Sequence, residues 1–175
     1  MGTGKRRGEK MKKIIVIGCP GAGKSVFSGA LRDKLGLPLY HLDMMYWNAD
    51  KTTVEKSVFL DRLHTVLGKD EWIIDGNYGS TMELRLAVCD TAIFLDYPSE
   101  VCLAGIKARR GKPRDDMPWT ETEEDGEFTE YVKSYNKTQR QGVLALLEKY
   151  SGKNVVIFKC REQADEFLNR LDECR

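Results

Sequence analysis

One octapeptide near the start of the chain constrains its structure more than any other stretch: Gly18-Cys19-Pro20-Gly21-Ala22-Gly23-Lys24-Ser25. The run that precedes it, residues 12–18 (KKIIVIG), is typical of a buried strand. Apolar residues recur behind it at the spacing of one helix face: Val26, Phe27, Ala30, Leu31 and Leu35. The pattern therefore predicts a strand, a glycine-rich turn and a helix in direct succession.

Each part of this pattern has a chemical reason. The glycines permit backbone angles that other residues avoid, so that amide N–H groups can point inward at an anion. Lys24 supplies a positive charge for the β and γ phosphates of a nucleoside triphosphate, and the Ser25 hydroxyl is a ligand for Mg²⁺. The following helix directs its positive N-terminal end at the same place. All of residues 18–25 are therefore expected to hold a nucleoside triphosphate, and the absence of an NKxD-type guanine-reading segment favours ATP.

Strand-like and helix-like segments alternate along the rest of the chain. Short apolar runs at 14–17, 39–42, 72–74, 92–95 and 155–158 suit strands buried on both faces. Helical spacing of apolar residues appears within 26–35, 58–67, 143–150 and 164–171. This order predicts an α/β fold with a parallel sheet and helices on both faces. We expect a single domain over residues 12–175, behind a glycine-rich, basic and flexible leader at 1–11.

Composition excludes several other classes of protein. The chain has 175 residues, of which 41% are hydrophobic, so it is large enough for one packed core. The net charge of +1 gives no overall field for nucleic acid, and no apolar stretch approaches the roughly 20 residues that cross a bilayer. The cysteines are scattered and suit a reducing cytoplasm rather than a disulfide framework: Cys19, Cys89, Cys102, Cys160 and Cys174.

Carboxylates stand where predicted strands end. Asp43 follows the second strand and Asp75 the third, which places both at the sheet edge that carries the glycine-rich loop. Each could hold Mg²⁺ or an acceptor molecule, or each could cap the next helix. Asp96 also ends a strand, and the nearby Pro98 favours helix capping. Trp47 could stack on a planar acceptor or pack in the core. The histidines His41 and His64 have no evident partner in the sequence and are expected to be structural.

Residues 107–127 interrupt the alternation. A basic block, KARRGKPR at 107–114, is followed by an acidic one, ETEEDGEFTE at 121–130. One interpretation is a solvated loop, as most charge runs are. The other is a lid that brings arginines over the phosphates and excludes water. The candidate arginines are Arg109, Arg110, Arg114 and, on the next helix, Arg140.

Taken together, six stretches resemble the adenylate-kinase-like group of P-loop small-molecule kinases, and most closely the bacterial topology modulation (FlaR-like) proteins. The stretches are GCPGAGKS, YHLDMMYW, DEWIIDGNYGSTMELR, DTAIFLDYP, KARRGKPRDDM and YNKTQRQGVLALLEKY. The resemblance implies a three-layer P-loop NTPase sandwich, with a five-stranded parallel sheet in the order 2-3-1-4-5 and a lid insertion.

The resemblance also implies roles for individual residues. Asp43 and Asp75 would face the acceptor and the metal, Arg85 would bind an acceptor phosphate, and Lys159 and Arg161 would pass the adenine. The chain departs from nucleoside monophosphate kinases at Asn77 and Tyr78, which follow Asp75-Gly76. These two residues are expected to help select an acceptor other than AMP.

Two functions remain open at this point. The first is a kinase that transfers the γ-phosphoryl group of ATP to a small molecule, with Lys24, Mg²⁺ and the arginines stabilising the transferred group and Asp43 orienting the acceptor hydroxyl or acting as its base. The second is an ATP-gated regulator of DNA topology that contacts DNA through the basic block. The near-zero net charge and the adjoining acidic block weigh against the second.

Overall fold

The structure, a computed structural model, describes residues 11–173, so the predicted leader (apart from Met11) and Cys174 lie outside the described residues. The strands are β1 Lys13–Gly18, β2 Leu39–His41, β3 Trp72–Asp75, β4 Thr91–Leu95 and β5 Asn154–Phe158. The helices are α1 Lys24–Leu35, α2 Leu42–Tyr46, α3 Lys56–Leu67, α4 Gly79–Val88, α5 Ser99–Arg109, α6 Gly126–Thr138, α7 Arg140–Lys149 and α8 Arg161–Glu173.

The five strands form one parallel sheet in the order β2-β3-β1-β4-β5, which confirms the predicted topology. Central β1 pairs with both β3 and β4, so Val16 lies beside Asp75 and Gly18 lies beside Leu95. At the outer end of the same edge, His41 lies in register with Asp75. The carboxyl ends of four strands therefore converge, and the loops that follow them surround one cleft.

Helices cover both faces of the sheet because its strands are apolar on both sides. Ile14 and Val16 face one helical layer, whereas Ile15 and Ile17 face the other. Helices α1, α5, α6 and α8 contribute buried residues to the first layer, and α2, α3, α4 and α7 contribute to the second. Burying a side chain of this size contributes about 1.5–3 kcal/mol, which explains why β1 reads as an unbroken hydrophobic run.

Two elements differ from the sequence prediction. The second strand ends at His41 and not at residue 42 as predicted, because Leu42 begins α2. The Leu42 side chain is fully buried. The acidic block is not entirely a loop: Asp125 caps α6 by accepting a hydrogen bond from the Phe128 amide at 3.0 Å. Residues 110–125 thus form the irregular segment between α5 and α6, shorter than the predicted 107–127, and we call these residues the lid segment.

None of the helices within residues 11–173 is long and apolar enough to cross a membrane.

Candidate active site

The glycine-rich loop connects β1 to α1 in a tight left-handed path. Gly21 has φ +84° and Gly23 has φ +93°, angles that a residue with a Cβ rarely adopts. Helix α1 begins directly afterwards at Lys24, so its first amides, which have no partner within the helix, face the cleft. The Lys24 ammonium donates to the carbonyl oxygens of Gly18 at 2.9 Å and Cys19 at 3.3 Å. These features make the loop a cradle for phosphate.

Helix α5 supports the loop from behind by an unusually close approach. A Cβ on Gly105 would lie 2.1 Å from the carbonyl oxygen of Gly21. A Cβ on Gly21 would lie 2.0 Å from the carbonyl oxygen of Cys102. Both glycines are therefore required by backbone packing, and only the one in the loop was recognisable from its motif.

The second and third strands together present a histidine–carboxylate pair to the cleft. His41 Nδ1 lies 2.9 Å from each oxygen of Asp75, the residue opposite it in the sheet register. Burial by itself lowers the pKa of His41, but the hydrogen bond and charge of Asp75 outweigh burial and raise it above the usual 6.5. The sequence did not indicate this partner for His41. Only the pairing of β2 with β3, which the local sequence does not show, brings the two side chains together.

This pair has a pH-dependent contribution to stability that can be measured. Because the folded-state pKa of His41 is raised, its contribution is complete below about pH 6.5 and disappears as the pH rises through that higher pKa. The free energy of unfolding of the natural protein should therefore decrease as the pH rises above about 6.5, and it should decrease more than that of His41→Gln. Urea unfolding of both proteins across this range tests the prediction, and parallel pH profiles would contradict it.

A second carboxylate, Asp43 on α2, is held by an aromatic neighbour. The Tyr78 hydroxyl donates to Asp43 Oδ1 at 2.6 Å, and burial raises the pKa of Asp43. Tyr78 is set in this position by a left-handed backbone, with φ +36°. Its ring packs on Tyr46 and Phe59, with ring centroids 5.2 Å away in each case. Asp43 is therefore fixed in orientation at the wall of the cleft.

Trp47 lies beside this carboxylate and meets the lid segment. Its ring contacts that of Trp119 edge to face at a centroid distance of 5.9 Å. The Lys51 ammonium lies over the Trp119 ring at 5.2 Å. Both tryptophans line the cleft. The position of Trp47 therefore suits stacking on a planar ligand, which is one of the two roles predicted for it. Trp119 and Lys51 were not recognised from the sequence.

Arginines at the end of α5 and in the lid segment are paired with carboxylates of the lid segment. Arg109 forms two bonds with Glu121, at 2.9 and 3.1 Å, and Arg114 reaches the same carboxylate at 3.1 Å. Arg110 lies 3.5 Å from Glu124. The acidic block thus neutralises the basic one within the lid segment, and the arginines must exchange partners in order to contact phosphates.

One lid residue bonds directly to the phosphate loop. The Ser25 hydroxyl donates to Asp116 Oδ2, and Arg114 forks onto the same carboxylate at 2.6 and 2.8 Å. Burial by itself raises the pKa of Asp116, but these hydrogen bonds outweigh it and lower the pKa to about 2. Asp116 is only 6% exposed. It lies in the KARRGKPRDDM stretch, but nothing in that stretch distinguishes it from the exposed Asp115.

Arg85 does not reach the cleft. It is fully buried on α4, and its guanidinium donates to the carbonyl oxygens of Gly76 at 3.0 Å, of Tyr78 at 3.2 Å and of Asn77. In this position it shapes the turn after β3 instead of contacting an acceptor phosphate. The Asn77 side chain continues the support by accepting a hydrogen bond from the Gly18 amide at 3.0 Å.

We predict that Arg85→Met lowers the free energy of unfolding by about 3–5 kcal/mol, because it leaves buried carbonyl oxygens without a donor. Chemical denaturation measures the change. Arg62→Met is the control, because Arg62 is exposed and donates to one carbonyl oxygen, that of Met45. Equal stability of the two variants would contradict the structural role of Arg85.

Asp96 does not cap a helix, contrary to expectation. Pro98 occupies the N-cap position of α5, and no side chain caps that end. Asp96 instead accepts bonds from Arg140 at 2.8 and 2.9 Å and from Lys159. Arg140 was predicted to act in catalysis and Lys159 to pass the adenine. Asp96 holds both side chains outside the cleft, whereas Arg161 lines it.

The cleft has a volume of about 1570 Å³ and brings most of the predicted residues together. Those that line it are Pro20, Gly21, Gly23, Lys24, Ser25, Asp43, Trp47, Asp75, Asn77, Tyr78, Arg109, Arg110, Arg114 and Arg161. Those that do not are Gly18, Cys19, Ala22, Arg85, Arg140 and Lys159. Cys19 and Ala22 belong to the loop, and their small side chains are buried beneath its backbone.

The donor set fits Mg²⁺ bound together with phosphates. Across the described residues no group of three or more His, Cys, Asp or Glu side chains forms a ready-made metal site. Mg²⁺, however, usually takes one or two protein oxygens and completes its shell with water and substrate phosphates. The Ser25 hydroxyl is an oxygen of the kind that Mg²⁺ takes, and it donates a hydrogen bond to the Asp116 carboxylate.

The sheet order, the glycine-rich loop and the flanking helices have the arrangement of the P-loop NTPase fold. Solved structures that share this fold include two shikimate kinases. The shikimate kinase from Bacteroides thetaiotaomicron is 20% identical, with a TM-score of 0.57 over 94% of this chain and 98% of that one. Shikimate kinase from Acinetobacter baumannii in complex with shikimate is 15% identical, with a TM-score of 0.61 over 95% and 96% of the two chains.

At these identities the likeness concerns the fold alone. No protein-family model and no curated protein sequence matches the chain. The closer resemblance to the topology modulation proteins is therefore not confirmed.

Proposed function

We propose that this protein is an ATP-dependent small-molecule kinase. The observation that carries the proposal is the common cleft of the phosphate loop and the Asp43–Tyr78 pair. One side holds a triphosphate, and the other holds a fixed carboxylate that can accept a proton. This combination suits transfer of a phosphoryl group to a hydroxyl, for which positioning and electrostatics are the main requirements.

On the nucleotide side, Lys24 and the loop amides bind the phosphates and stabilise negative charge as the terminal phosphoryl group leaves. Burial lowers the pKa of Lys24, while the charges of Asp75 and Asp43 oppose this effect. Mg²⁺, held by Ser25, supplies further neutralisation of the phosphates when it is bound. Asp75 would support the metal, and Arg161 lies near Gly23, at the nucleotide end of the cleft.

On the acceptor side, Asp43 binds the acceptor hydroxyl, orients it and accepts its proton. Burial favours this role because it raises the pKa of Asp43 and so makes its carboxylate a better base. Trp47 and Trp119 supply apolar surface for the body of the acceptor, and Asn77 and Tyr78 shape its floor. The lid segment excludes water when it meets Trp47.

The acceptor that fits best carries no phosphate of its own. The nucleotide-kinase resemblance predicts that Arg85 binds a phosphate of the acceptor. Its guanidinium instead donates hydrogen bonds to backbone carbonyl oxygens. The neighbouring lid arginines are neutralised by Glu121 and Asp116. An acceptor bound beside Asp43 therefore finds aromatic rings and a carboxylate rather than a free guanidinium.

The test measures ATP consumption with Mg²⁺ against a panel of hydroxyl compounds. The panel pairs each nucleoside with its monophosphate and includes small hydroxyl metabolites. Stimulation by one acceptor should fall by about 10²–10⁴-fold in Asp43→Asn, while nucleotide binding is retained. Asp61→Asn, a change to an exposed carboxylate on α3, is the control and should leave turnover unchanged.

If Asp43→Asn retained full acceptor-stimulated turnover, the role of Asp43 would be wrong. If no acceptor stimulated turnover although ATP bound, the regulatory alternative would gain weight. That alternative has no support from the structural neighbours, and a DNA-binding assay at several salt concentrations would test it.

A further inference from the structure

The lid segment and the phosphate loop are joined by a contact that the proposed reaction does not explain. Ser25 donates to Asp116 across 91 positions of sequence. The carboxylate is buried, although carboxylates are rarely buried unless they are paired. Arg114 supplies the pairing that allows this burial, and the carboxylate is thereby held beside the hydroxyl that is expected to bind Mg²⁺.

We propose that Asp116 is the carboxylate through which the lid segment stabilises Mg²⁺ on the bound nucleotide, so that the ion ties the lid to the phosphate loop. The inference rests on the proposed nucleotide-binding function and extends it to a residue on the lid. Asp116 then has two successive partners: the Ser25 hydroxyl, as the structure shows, and the coordination sphere of the ion once nucleotide and Mg²⁺ bind.

The chemistry of the contact supports an ion at this position. The Asp116 carboxylate lies between the Ser25 hydroxyl, which donates to it, and the Arg114 guanidinium, which donates to both of its oxygens. A hydroxyl and a carboxylate are hard oxygen donors, the kind that Mg²⁺ takes. Because the two groups are already in contact, an ion bound to Ser25 is close enough to Asp116 for direct attraction or for attraction through one water.

Arg114 supplies the positive charge that faces Asp116 in the structure. Its guanidinium forks onto both oxygens of Asp116 and also contacts Glu121. Binding of a triphosphate brings negative charge that attracts Arg114, and binding of Mg²⁺ brings positive charge that attracts Asp116. An exchange of partners therefore keeps the charges of both Arg114 and Asp116 neutralised. A simple surface ion pair does not require such an exchange.

A contrary interpretation makes Asp116 a plug that competes with Mg²⁺ for Ser25. The two interpretations predict opposite signs. Loss of a group that supports the ion weakens the effect of Mg²⁺ on nucleotide affinity, whereas loss of a plug strengthens it. The quantity that separates them is the ratio of nucleotide dissociation constants without and with Mg²⁺.

The experiment measures ADP binding by calorimetry in excess Mg²⁺ and in excess EDTA for the natural protein and for Asp116→Asn. The ratio of the two dissociation constants should fall about tenfold or more in the variant, as is typical when a group behind a metal ligand is removed. Any gain in affinity from releasing Arg114 appears in both conditions and cancels in the ratio. ADP avoids turnover, so the readout does not depend on activity.

Matched controls keep the result interpretable. Asp115→Asn makes the same chemical change at the exposed neighbouring residue and should leave the ratio of dissociation constants unchanged. Asp116→Glu retains the charge and should restore part of the ratio even if Asp116→Asn unfolds more easily. Thermal unfolding of each variant identifies a loss of structure.

An unchanged or increased ratio in folded Asp116→Asn would overturn the inference and leave the proposed function standing. Failure of the natural protein to bind ADP or ATP under either condition would instead refute the proposed function, and the inference with it.

Discussion

Lys24→Met is expected to lower phosphoryl transfer on the order of 10³-fold. Lys24 lies at the start of α1, where its charge adds to the N-terminal end of the helix and its ammonium already contacts the loop carbonyls. Methionine retains the length of the side chain but removes that charge, so the developing negative charge on the phosphates is not compensated.

Turnover is measured by coupled detection of ADP with the acceptor that stimulates best, and nucleotide affinity by calorimetry. Lys107→Met, which removes an exposed positive charge from the last turn of α5 outside the cleft, serves as the matched control. A Lys24→Met protein with more than about a tenth of natural turnover would exclude the proposed role of the loop in transfer.

Gly105→Ala is expected to destabilise the protein by about 2–3 kcal/mol and to weaken nucleotide binding. Gly105 lies inside α5, where helix propensity alone predicts that alanine stabilises by about 0.5–1 kcal/mol. Its new Cβ would, however, meet the backbone oxygen of Gly21 at 2.1 Å. Neither backbone can move freely, because the contact joins α5 to the phosphate loop. Relief of the clash therefore displaces the loop that binds the nucleotide.

Gly142→Ala provides the comparison, since Gly142 lies in α7 and a Cβ there meets nothing within 4 Å. This change should stabilise the protein by about 0.5–1 kcal/mol. Urea unfolding gives both values, and ADP binding shows whether the loop has moved. Stabilisation by both substitutions would show that the approach of α5 to the loop is looser than the structure indicates.

The lid segment shows what a charge pattern in the sequence predicts about structure and what it does not. The basic and acidic blocks correctly mark an excursion between two helices that lines the cleft. The pattern does not reveal that the two blocks neutralise each other through Glu121 and Glu124, nor that a buried aspartate contacts Ser25. Pairing depends on how the chain folds back on itself, and this requires the positions of α5 and α6.

Resemblance to nucleotide kinases has a similar limit at Arg85. The position along the chain suggested a ligand contact, but the guanidinium points into the turn after β3. One arginine on α4 can satisfy either a bound phosphate or backbone carbonyl oxygens, and the conformation of Gly76, with φ +130°, presents those oxygens to it. Sequence motifs identify the helix that carries such a residue, but not the direction of its side chain.

The strand order was predicted from the resemblance of the motifs to those of known P-loop kinases. The sequence by itself determined the parallel α/β fold, the glycine-rich loop and the carboxylates Asp43 and Asp75 that follow predicted strands. These features depend on local preferences: apolar runs that must be buried on both sides, and glycines where the backbone turns left-handed. The tertiary structure alone decided the pairing of His41 with Asp75, the contact of Asp116 with Ser25 and the approach of Gly105 to Gly21. Each of these joins residues far apart in the chain, and their separation in space is set by strand register and helix packing, which no local pattern encodes.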